Sequence, residues 1–383
     1  MPMKHVAILK SHLAAGGGLE KYTLRLAQAF AKKGCRVSIL TSKKCTEVES
    51  SQSFNIIKLP ATSKIGFRHL WQYDQLCQQW IKDQAPDIIF GMDRNTNQSH
   101  YRAGNGVHAE YLQKRCKTDS FLKQLTYSIN PLHRSILKIE KSAYENPNLE
   151  VLFTNSSMVQ EEILKHYQVD PNKIKVVHNG VEWHDMQPAF AEWPSQQAQI
   201  LQNLGLDPSA FQFLFIGKGF RRKGLAYLLK ALSHLKERHV QLSVVGEDKK
   251  IRAFKAMAES LGIQQRVKFF GHRNDVIKFY QACDVLTIPS TYDPFANVTI
   301  EALAMGLFVV SSKTNGGSEI LTPSTGIVIE NLFSEESVLA ALQEALKHSK
   351  TPISARKIRD SVMSMDFDQQ LIKIVDTTLL DPR

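Results

Sequence analysis

A loop rich in cations and glycines stands out in the second half of the chain. Residues 217–224 read GKGFRRKG and follow the apolar run 211–216. The loop carries Arg222 and Lys223 where a strand is expected to lead into a helix, and it lacks the ending of a P-loop. Cations on rigid backbone at such a junction can hold a diphosphate and offset the charge that grows on it as it leaves. The alternative is a solvated basic loop.

A second candidate is the segment DPFANVTIEAL, in which Asp293 follows an apolar run and Glu301 lies eight residues later. The backbone of Phe295, Ala296 and Asn297 falls at the predicted start of a helix, where unpaired N–H groups can bind phosphate oxygens. Glu301 has apolar neighbours, and a carboxylate in such company needs a partner. A ribose diol is a suitable one; an ordinary exposed helix glutamate is the alternative.

Two features of the first half are less specific. The three glycines Gly16, Gly17 and Gly18 precede a predicted helix and allow a ligand to approach the backbone, but they do not complete a GxGxxG motif. The alternative is a flexible turn. His108 follows a glycine-rich turn and is a candidate catalytic group, although a lone histidine is more often structural.

Residues 110–141 combine basic and apolar side chains. A basic amphipathic helix of this kind can lie on an anionic membrane surface. The alternative is a solvated helix face above a stripe of core residues. The basic positions are Lys114, Arg115, Lys117, Lys123, Arg134, Lys138 and Lys141.

Short apolar runs alternate with amphipathic stretches along the whole chain, which predicts two doubly wound α/β domains with parallel sheets. Strands are expected at 5–9, 36–41, 87–91 and 151–155, and again at 211–217, 241–246, 267–271, 284–290 and 308–312. Helices are expected at 19–33 and 69–82. We predict domains at 1–181 and 209–365, a linker at 182–208, and a final helix within 366–383 that packs back on the first domain.

Composition narrows the function classes. The 383 residues include 43% apolar and 22% charged side chains, and the net charge is +11, which favours an anionic partner. No apolar run is long enough to span a bilayer and the amino-terminal run is too short for a signal peptide, so we expect a cytoplasmic protein. Five scattered cysteines without a CxxC pair predict neither a metal site nor a disulfide framework.

Taken together, these motifs resemble family 4 of the retaining glycosyltransferases, which have the GT-B fold of two Rossmann-like domains facing across a cleft. The glycine loop, the Arg222-Lys223 pair, the Asp293–Glu301 element and a later Gly316-Gly317 loop occur in family order over nearly the whole chain. The resemblance departs at Asp293, where the family usually has Glu, so the contact with donor hydroxyls is expected to shift.

The resemblance also implies residue roles. Arg222 and Lys223 match diphosphate ligands, and Glu301 matches the residue that binds the donor ribose. The backbone of Phe295–Asn297 matches the diphosphate-binding helix start, and His108 matches the histidine close to the transferred sugar. Gly17, Gly18 and Asp293 complete the implied donor site.

Within the family, the stretches 101–115, 130–147 and 216–225 are similar to the heptose glucosyltransferases of the lipopolysaccharide core. This implies a UDP-sugar donor, most simply UDP-glucose, a lipid-linked glycan acceptor and a peripheral position on the inner face of the cytoplasmic membrane. We expect no cofactor and, because no DxD motif stands out at a strand end, catalysis without a metal. A UDP-sugar epimerase, a glycogen-type synthase and a non-catalytic nucleic-acid-binding protein are the alternatives.

Overall fold

The computed structural model describes residues 3–13, 18–44, 53–116, 119–235 and 239–380. The chain divides into two compact units. The first contains residues 1–178 together with 370–383, and the second contains residues 179–369. Each unit is built on its own parallel sheet, which confirms the predicted pair of doubly wound α/β domains.

The first unit contains a parallel sheet whose strands, in the described part of the chain, are β1 (His5–Leu9), β3 (Arg36–Thr41), β5 (Asn55–Lys58), β6 (Ile88–Gly91), β7 (His100–Arg102), β8 (Val151–Thr154) and β9 (Ile174–Val176). Their order across the sheet is β5-β3-β1-β6-β7-β8-β9. Two short strands, β2 (His12–Leu13) and β4 (Lys43–Lys44), pair with each other beside it. The four strands predicted in this half are confirmed, whereas β5 and β7 lack the apolar run that would reveal them.

Helices follow most of these strands, as a doubly wound sheet requires. In the described residues of the first unit they are α1 (Gly18–Lys32), α2 (Gly66–Gln84), α3 (His108–Cys116), α4 (Phe121–Ile129), α5 (Pro131–Tyr144) and α6 (Ser157–His166). The segment 110–141, which the sequence analysis treats as one basic amphipathic region, is therefore three helices. Asn130 ends α4 and caps α5, because its side chain accepts a hydrogen bond from the Leu132 N–H at 2.9 Å.

The second unit repeats the plan with the strands β10 (Phe211–Ile216), β11 (Val240–Val245), β12 (Val267–Gly271), β13 (Val285–Ile288), β14 (Phe308–Ser312) and β15 (Gly326–Ile329) in its described residues. Their order is β12-β11-β10-β13-β14-β15, and each neighbouring pair is parallel. All six residues of β10 are buried, as expected for a strand covered on both faces. The helices are α7 (Gln187–Leu204), α8 (Leu225–His234), α9 (Ile251–Ser260), α10 (Val276–Ala282), α11 (Asn297–Ala304), α12 (Glu335–Ala345) and α13 (Pro352–Asp360).

The predicted linker at 182–208 is not a linker in the structure. Most of it forms α7, an 18-residue helix of the second unit that ends at Gly205 in the left-handed region. Trp183, Phe190 and Trp193 from this segment are buried in the core of the second unit.

The chain passes from the second unit back to the first within the final helix, α14 (Phe367–Leu380), whose residues from Gln370 onward belong to the first unit. Asp376 forms an ion pair with Lys33 at 2.7 Å, and the Lys4 ammonium donates to the Leu379 carbonyl. No described helix combines the length and the apolar character that a membrane span requires.

Candidate active site

The second unit has a topological switch point between β10 and β13. From β10 the chain winds outward through β11 and β12, and it then returns to place β13 on the other side of β10. The loops that leave the carboxyl ends of such a strand pair diverge and form a ligand crevice. Here they are the Arg222-Lys223 loop and the segment that leads through Asp293 to α11, so the fold brings two of the predicted elements together.

Glycine allows these two loops to approach closely. Gly224 has a φ of 80°, and a Cβ at this position would lie 1.7 Å from the Pro289 carbonyl oxygen. The Thr291 N–H donates to the Arg222 carbonyl at 2.8 Å, which fixes the backbone of the cationic loop against the segment after β13. The cations therefore sit on a backbone whose position is determined by both strands.

Arg222, Lys223 and Asp293 form one charged cluster at this point. A single Asp293 oxygen, Oδ2, lies 2.7 Å from both the Lys223 Nζ and the Arg222 Nη1. The Lys223 side chain is only 10% exposed and that of Asp293 9%, whereas Arg222 is 40% exposed. Burial on its own raises the pKa of Asp293, but Lys223 and Arg222 outweigh it and hold that pKa below its usual value. Asp293 is therefore ionised at neutral pH, and two basic side chains surrounding one carboxylate give the cluster a formal net positive charge.

A buried asparagine positions the start of α11. Asn315 is fully buried, and its Oδ1 accepts hydrogen bonds from the N–H groups of Ala296 at 3.0 Å and Gly317 at 3.1 Å. Its Nδ2 donates to Ser311 and Thr299. The side chain thus joins the helix start to the Gly316-Gly317 loop.

The predicted diphosphate-binding backbone lies at this helix start. Phe295 and Ala296 are buried immediately before α11, which Asn297 begins. The Asn179 amide donates to the Asn297 Oδ1 at 2.6 Å. Asp293 and this helix start belong to one short connection after β13, so they are positioned by the same backbone.

Glu301 lies one helical turn beyond Asn297 and is half-buried. The hydroxyl of the buried Tyr280 donates to the Glu301 Oε2 at 2.7 Å, and burial followed by Glu301 raises the Tyr280 pKa well above its usual value. The Lys350 ammonium donates in turn to the Tyr280 carbonyl at 2.8 Å. Glu301 therefore has a protein partner and is not an ordinary exposed helix glutamate, while its assignment to a ribose diol stays a prediction.

In the first unit, His108 begins α3 and is buried. Its backbone N–H donates to both oxygens of Glu140, at 3.1 and 3.0 Å, and its Nε2 lies 2.9 Å from the His133 Nδ1. Burial, followed by Arg94, His133 and Arg115, lowers the pKa of His108 to about 3. The ring is neutral at physiological pH and can act as a hydrogen-bonding group, not as a cation.

Glu140 is also buried and has further partners. The Tyr167 hydroxyl donates to it at 3.0 Å, and the Arg94 Nε lies 3.7 Å away. Burial raises the Glu140 pKa to about 7 in spite of these groups and the His108 N–H. A carboxylate at the start of α3 is also favourably placed with respect to the helix dipole.

The glycine loop is only partly covered by the structure. Gly17 lies outside the described residues, and Gly18 is the first residue of α1. The part of the loop that precedes the helix therefore stays a prediction.

The basic residues of 110–141 are mostly engaged within the protein. Lys114 pairs with Glu162 at 3.0 Å, and Arg115 and Lys123 both pair with Asp119. Both interpretations of this segment, a membrane-binding basic face and a solvated one, assume exposed cations, and Lys114 and Arg115 do not fit either because they are only 20% and 25% exposed. Lys117 lies outside the described residues.

Helix α4 instead presents an exposed apolar face. Four of its side chains are between 53% and 77% exposed, namely Phe121, Leu122, Leu125 and Ile129. Their spacing places them along one side of the helix, and Leu132 follows at the start of α5 with 37% exposure. Tyr127 faces the other way and is buried.

Several residues that shape these sites are absent from the sequence-based candidates: Asn315, Tyr280, His133 and Glu140. Asn315 directly precedes Gly316-Gly317, and asparagine before glycine is a turn signal that could have identified it. Glu140 shares a helix face with the buried Ile136, a placement that predicts a buried carboxylate. Among the described residues, no group of three or more histidine, cysteine, aspartate or glutamate side chains could hold a metal ion.

Two family models match the two halves of the chain. Residues 16–183 match the family model described as Glycosyltransferase Family 4, and residues 196–360 match Glycosyl transferases group 1. The lipopolysaccharide glucosyltransferase WaaG of Escherichia coli strain K12 is 27% identical over 337 residues, which cover 87% of each chain. An uncharacterized glycosyltransferase of Methanocaldococcus jannaschii, MJ1607, is 31% identical over 80% of this chain and 79% of its own.

Solved structures agree. The crystal structure of WaaG, a glycosyltransferase involved in lipopolysaccharide biosynthesis, superimposes with a TM-score of 0.78 at 25% identity, covering 97% of this chain and 99% of that one. Sucrose-phosphate synthase from Thermosynechococcus elongatus gives a TM-score of 0.75 at 20% identity and 98% coverage of both chains, a likeness of fold.

Proposed function

We propose that this chain, which belongs to the GT-B glycosyltransferases, transfers glucose from UDP-glucose to a lipopolysaccharide-core or other lipid-linked glycan. The transfer is proposed to retain the configuration at the anomeric carbon. Family 4 describes the amino-terminal part of the chain and group 1 the carboxyl-terminal part. The similarity to WaaG, whose name gives both the sugar and the pathway, supports the choice of glucose and of this acceptor class. The relatives named above are glycosyltransferases, which favours transfer over the epimerase and nucleic-acid-binding alternatives.

The observation that carries the proposal is the Arg222–Lys223–Asp293 cluster at the switch point of the second unit. Its net positive charge suits a diphosphate, and the first turn of α11 adds the positive end of a helix dipole on the same connection, although the Ala296 N–H is already bonded to Asn315. Pairing with Asp293 fixes the two cations in advance, so little reorganisation is needed when charge develops on a leaving phosphate.

We assign the reaction a front-face path through an oxocarbenium-like transition state. The bond between the anomeric carbon and the diphosphate oxygen breaks, and the acceptor oxygen forms the new bond on the same face. The acceptor proton passes to the departing phosphate oxygen, and Arg222 and Lys223 stabilise the remaining negative charge. His108, neutral and hydrogen-bonded, is assigned to the transferred sugar on the strength of the family resemblance.

Glu301 is assigned to the donor ribose. A carboxylate forms charge-assisted hydrogen bonds with a diol, and the Tyr280 hydroxyl orients this one at 2.7 Å. Gly17 and Gly18 remain assigned to the donor by resemblance.

Because we assign Arg222 and Lys223 to the diphosphate, where a divalent ion would otherwise balance its charge, we propose that transfer needs no divalent metal. Activity should be retained in excess EDTA. A complete loss on chelation that Mg²⁺ or Mn²⁺ restores would contradict this part of the proposal.

We further propose a cytoplasmic protein that is peripherally bound to the inner face of the membrane, where a lipid-linked acceptor is held. The exposed apolar face of α4 supports shallow insertion into such a membrane. A double substitution, Phe121→Glu with Leu122→Glu, should abolish flotation with anionic vesicles and leave UDP binding unchanged. Ile353→Glu is the matched control, because Ile353 is equally exposed, at 73%, but lies in the second unit. Equal flotation of both variants would remove α4 from the proposed interface.

The proposed function is tested by offering the purified protein a panel of UDP-, GDP- and ADP-sugars with a truncated lipopolysaccharide acceptor. Product formation from UDP-glucose alone, with an α-linkage, is expected. Preference for another donor would refute the assignment of sugar or nucleotide, and release of an epimerised UDP-sugar would favour the epimerase alternative.

A further inference from the structure

We propose that His133 is a positioning residue that fixes the ring of His108 and determines which of its nitrogens is left for the substrates. The inference rests on the proposed function, in which His108 lies at the transferred sugar. His133 is in α5, 25 positions beyond His108, within the similar stretch 130–147 but without a role assigned by the resemblance.

The pair is defined by a direct contact between the two rings. The His108 Nε2 lies 2.9 Å from the His133 Nδ1, and the ring centroids are 5.0 Å apart. Glu140 holds the backbone N–H of His108 from the same helix, α5. One helix therefore fixes both the main chain and the side chain of His108.

His133 is itself held in place. The Tyr127 ring meets it edge-on at 5.7 Å with an interplanar angle of 85°. Asn130 caps α5 one turn earlier, which sets the backbone from which His133 projects. The Tyr127 hydroxyl in turn donates to Asp119, which also accepts from Arg115.

A single hydrogen lies between the two rings, because one nitrogen must donate and the other accept. Burial lowers the pKa of both histidines, with Arg94 and Arg115 adding to the effect at His108 and Arg115 at His133, so the pair is neutral. Tyr111 of α3 also packs near His108, at a ring distance of 5.9 Å. Since Nε2 of His108 is committed to His133, the His108 Nδ1 is left for a substrate, with one defined donor or acceptor role.

The test compares two substitutions at His133. His133→Phe keeps an aromatic ring against Tyr127 but removes the hydrogen bond, whereas His133→Asn can place an amide group near the position of Nδ1. His5→Phe is the matched control. His5 is also a half-buried histidine with a lowered pKa and a ring hydrogen bond, to Ser38 at 2.9 Å, but it is the first residue of β1 and belongs to no proposed site.

For His133→Phe we expect kcat to fall roughly 10- to 100-fold, as misplacement of a positioned group does elsewhere. The donor KM should change by less than about twofold, because Arg222, Lys223 and Glu301 lie in the other unit. His133→Asn should recover most of the loss, and His5→Phe should retain the wild-type kcat. Wild-type kcat in His133→Phe, or equal losses in the Phe and Asn variants, would overturn the proposal.

A second readout does not depend on turnover. Imidazole ¹⁵N shifts in histidine-labelled protein should show one neutral tautomer for His108, replaced by averaged shifts in His133→Phe. Unchanged His108 shifts in that variant would overturn the positioning role even if the protein is an active transferase. The expected shift change in a protein that transfers no sugar would instead refute the proposed function and leave the pairing intact.

Discussion

The Asp293→Asn substitution offers a quantitative test of the charged cluster. It removes one negative charge that lies 2.7 Å from both Lys223 and Arg222. Removing one partner of a buried ion pair costs about 3–5 kcal/mol. Arg222 is 40% exposed and can turn to water, so the cost arises mainly at Lys223, which is 10% exposed. We therefore expect the low end of that range, about 3 kcal/mol at pH 7.

Urea denaturation of the wild type and the variant measures this difference in free energy directly. In thermal denaturation, the midpoint of the second unit should fall by about 6–12 °C. The folded-state pKa of Asp293 is depressed below 3.8, so its contribution is present above that pH and is lost as the pH falls through the folded-state value. The difference between the two proteins should be constant from about pH 5 to pH 8 and should shrink only in stronger acid.

Two comparisons make the test specific. Glu330→Gln removes an ion pair with Lys313 in which both side chains are more than two-thirds exposed, and it should have a far smaller effect. Adding Lys223→Met to Asp293→Asn removes both buried charges and should recover part of the lost stability. A loss below about 1 kcal/mol in Asp293→Asn, or a larger loss in the double variant, would refute the reasoning.

Three further predictions concern single contacts. Glu140 has a folded-state pKa of about 7, so the stability from its protonated form is present below pH 4.5 and is lost as the pH rises through 7. In Glu140→Gln, the change in the free energy of unfolding between pH 5 and pH 8, measured by urea denaturation, should be smaller by up to about 3 kcal/mol. Tyr280→Phe removes the hydroxyl that orients Glu301 and should raise the donor KM roughly tenfold with little change in kcat, as steady-state kinetics will show. Gly224→Ala places a Cβ 1.7 Å from the Pro289 carbonyl oxygen, so the variant should be less stable than the wild type by more than about 2 kcal/mol. A urea midpoint equal to that of the wild type would contradict this prediction.

The strands of both sheets are the part of the fold that the sequence predicts best. Runs such as FQFLFI are buried on both faces of a parallel sheet, so their composition alone identifies them. The short strands β5 and β7 carry polar residues and obtain their strand geometry from neighbours that are distant in sequence. Pro188 and Pro194 argue against a helix in the sequence of α7. Pro188, however, lies in the first turn of the helix, where proline is tolerated.

The candidate site was predictable where its residues share a loop or a helix. Arg222 with Lys223, and Asp293 with Glu301, are visible as local patterns. Asn315 also gives a local turn signal before Gly316, but its contact with α11, like the contact of Tyr280 with Glu301, depends on long-range packing that no local pattern encodes. The sequence at Lys114 and Arg115 indicates a basic surface that could bind an anionic membrane. In the fold, Glu162 and Asp119 neutralise the charges of these two side chains.

The central claim is tested most directly by transfer of labelled glucose from UDP-glucose to a truncated lipopolysaccharide core in the presence of EDTA, with the anomeric configuration of the product read by NMR. The account predicts an α-linked glucose on the acceptor in the wild type and a loss of roughly 100-fold or more in kcat when Lys223 is replaced by Ala. A β-linked product, or near-normal turnover of Lys223→Ala, would contradict it.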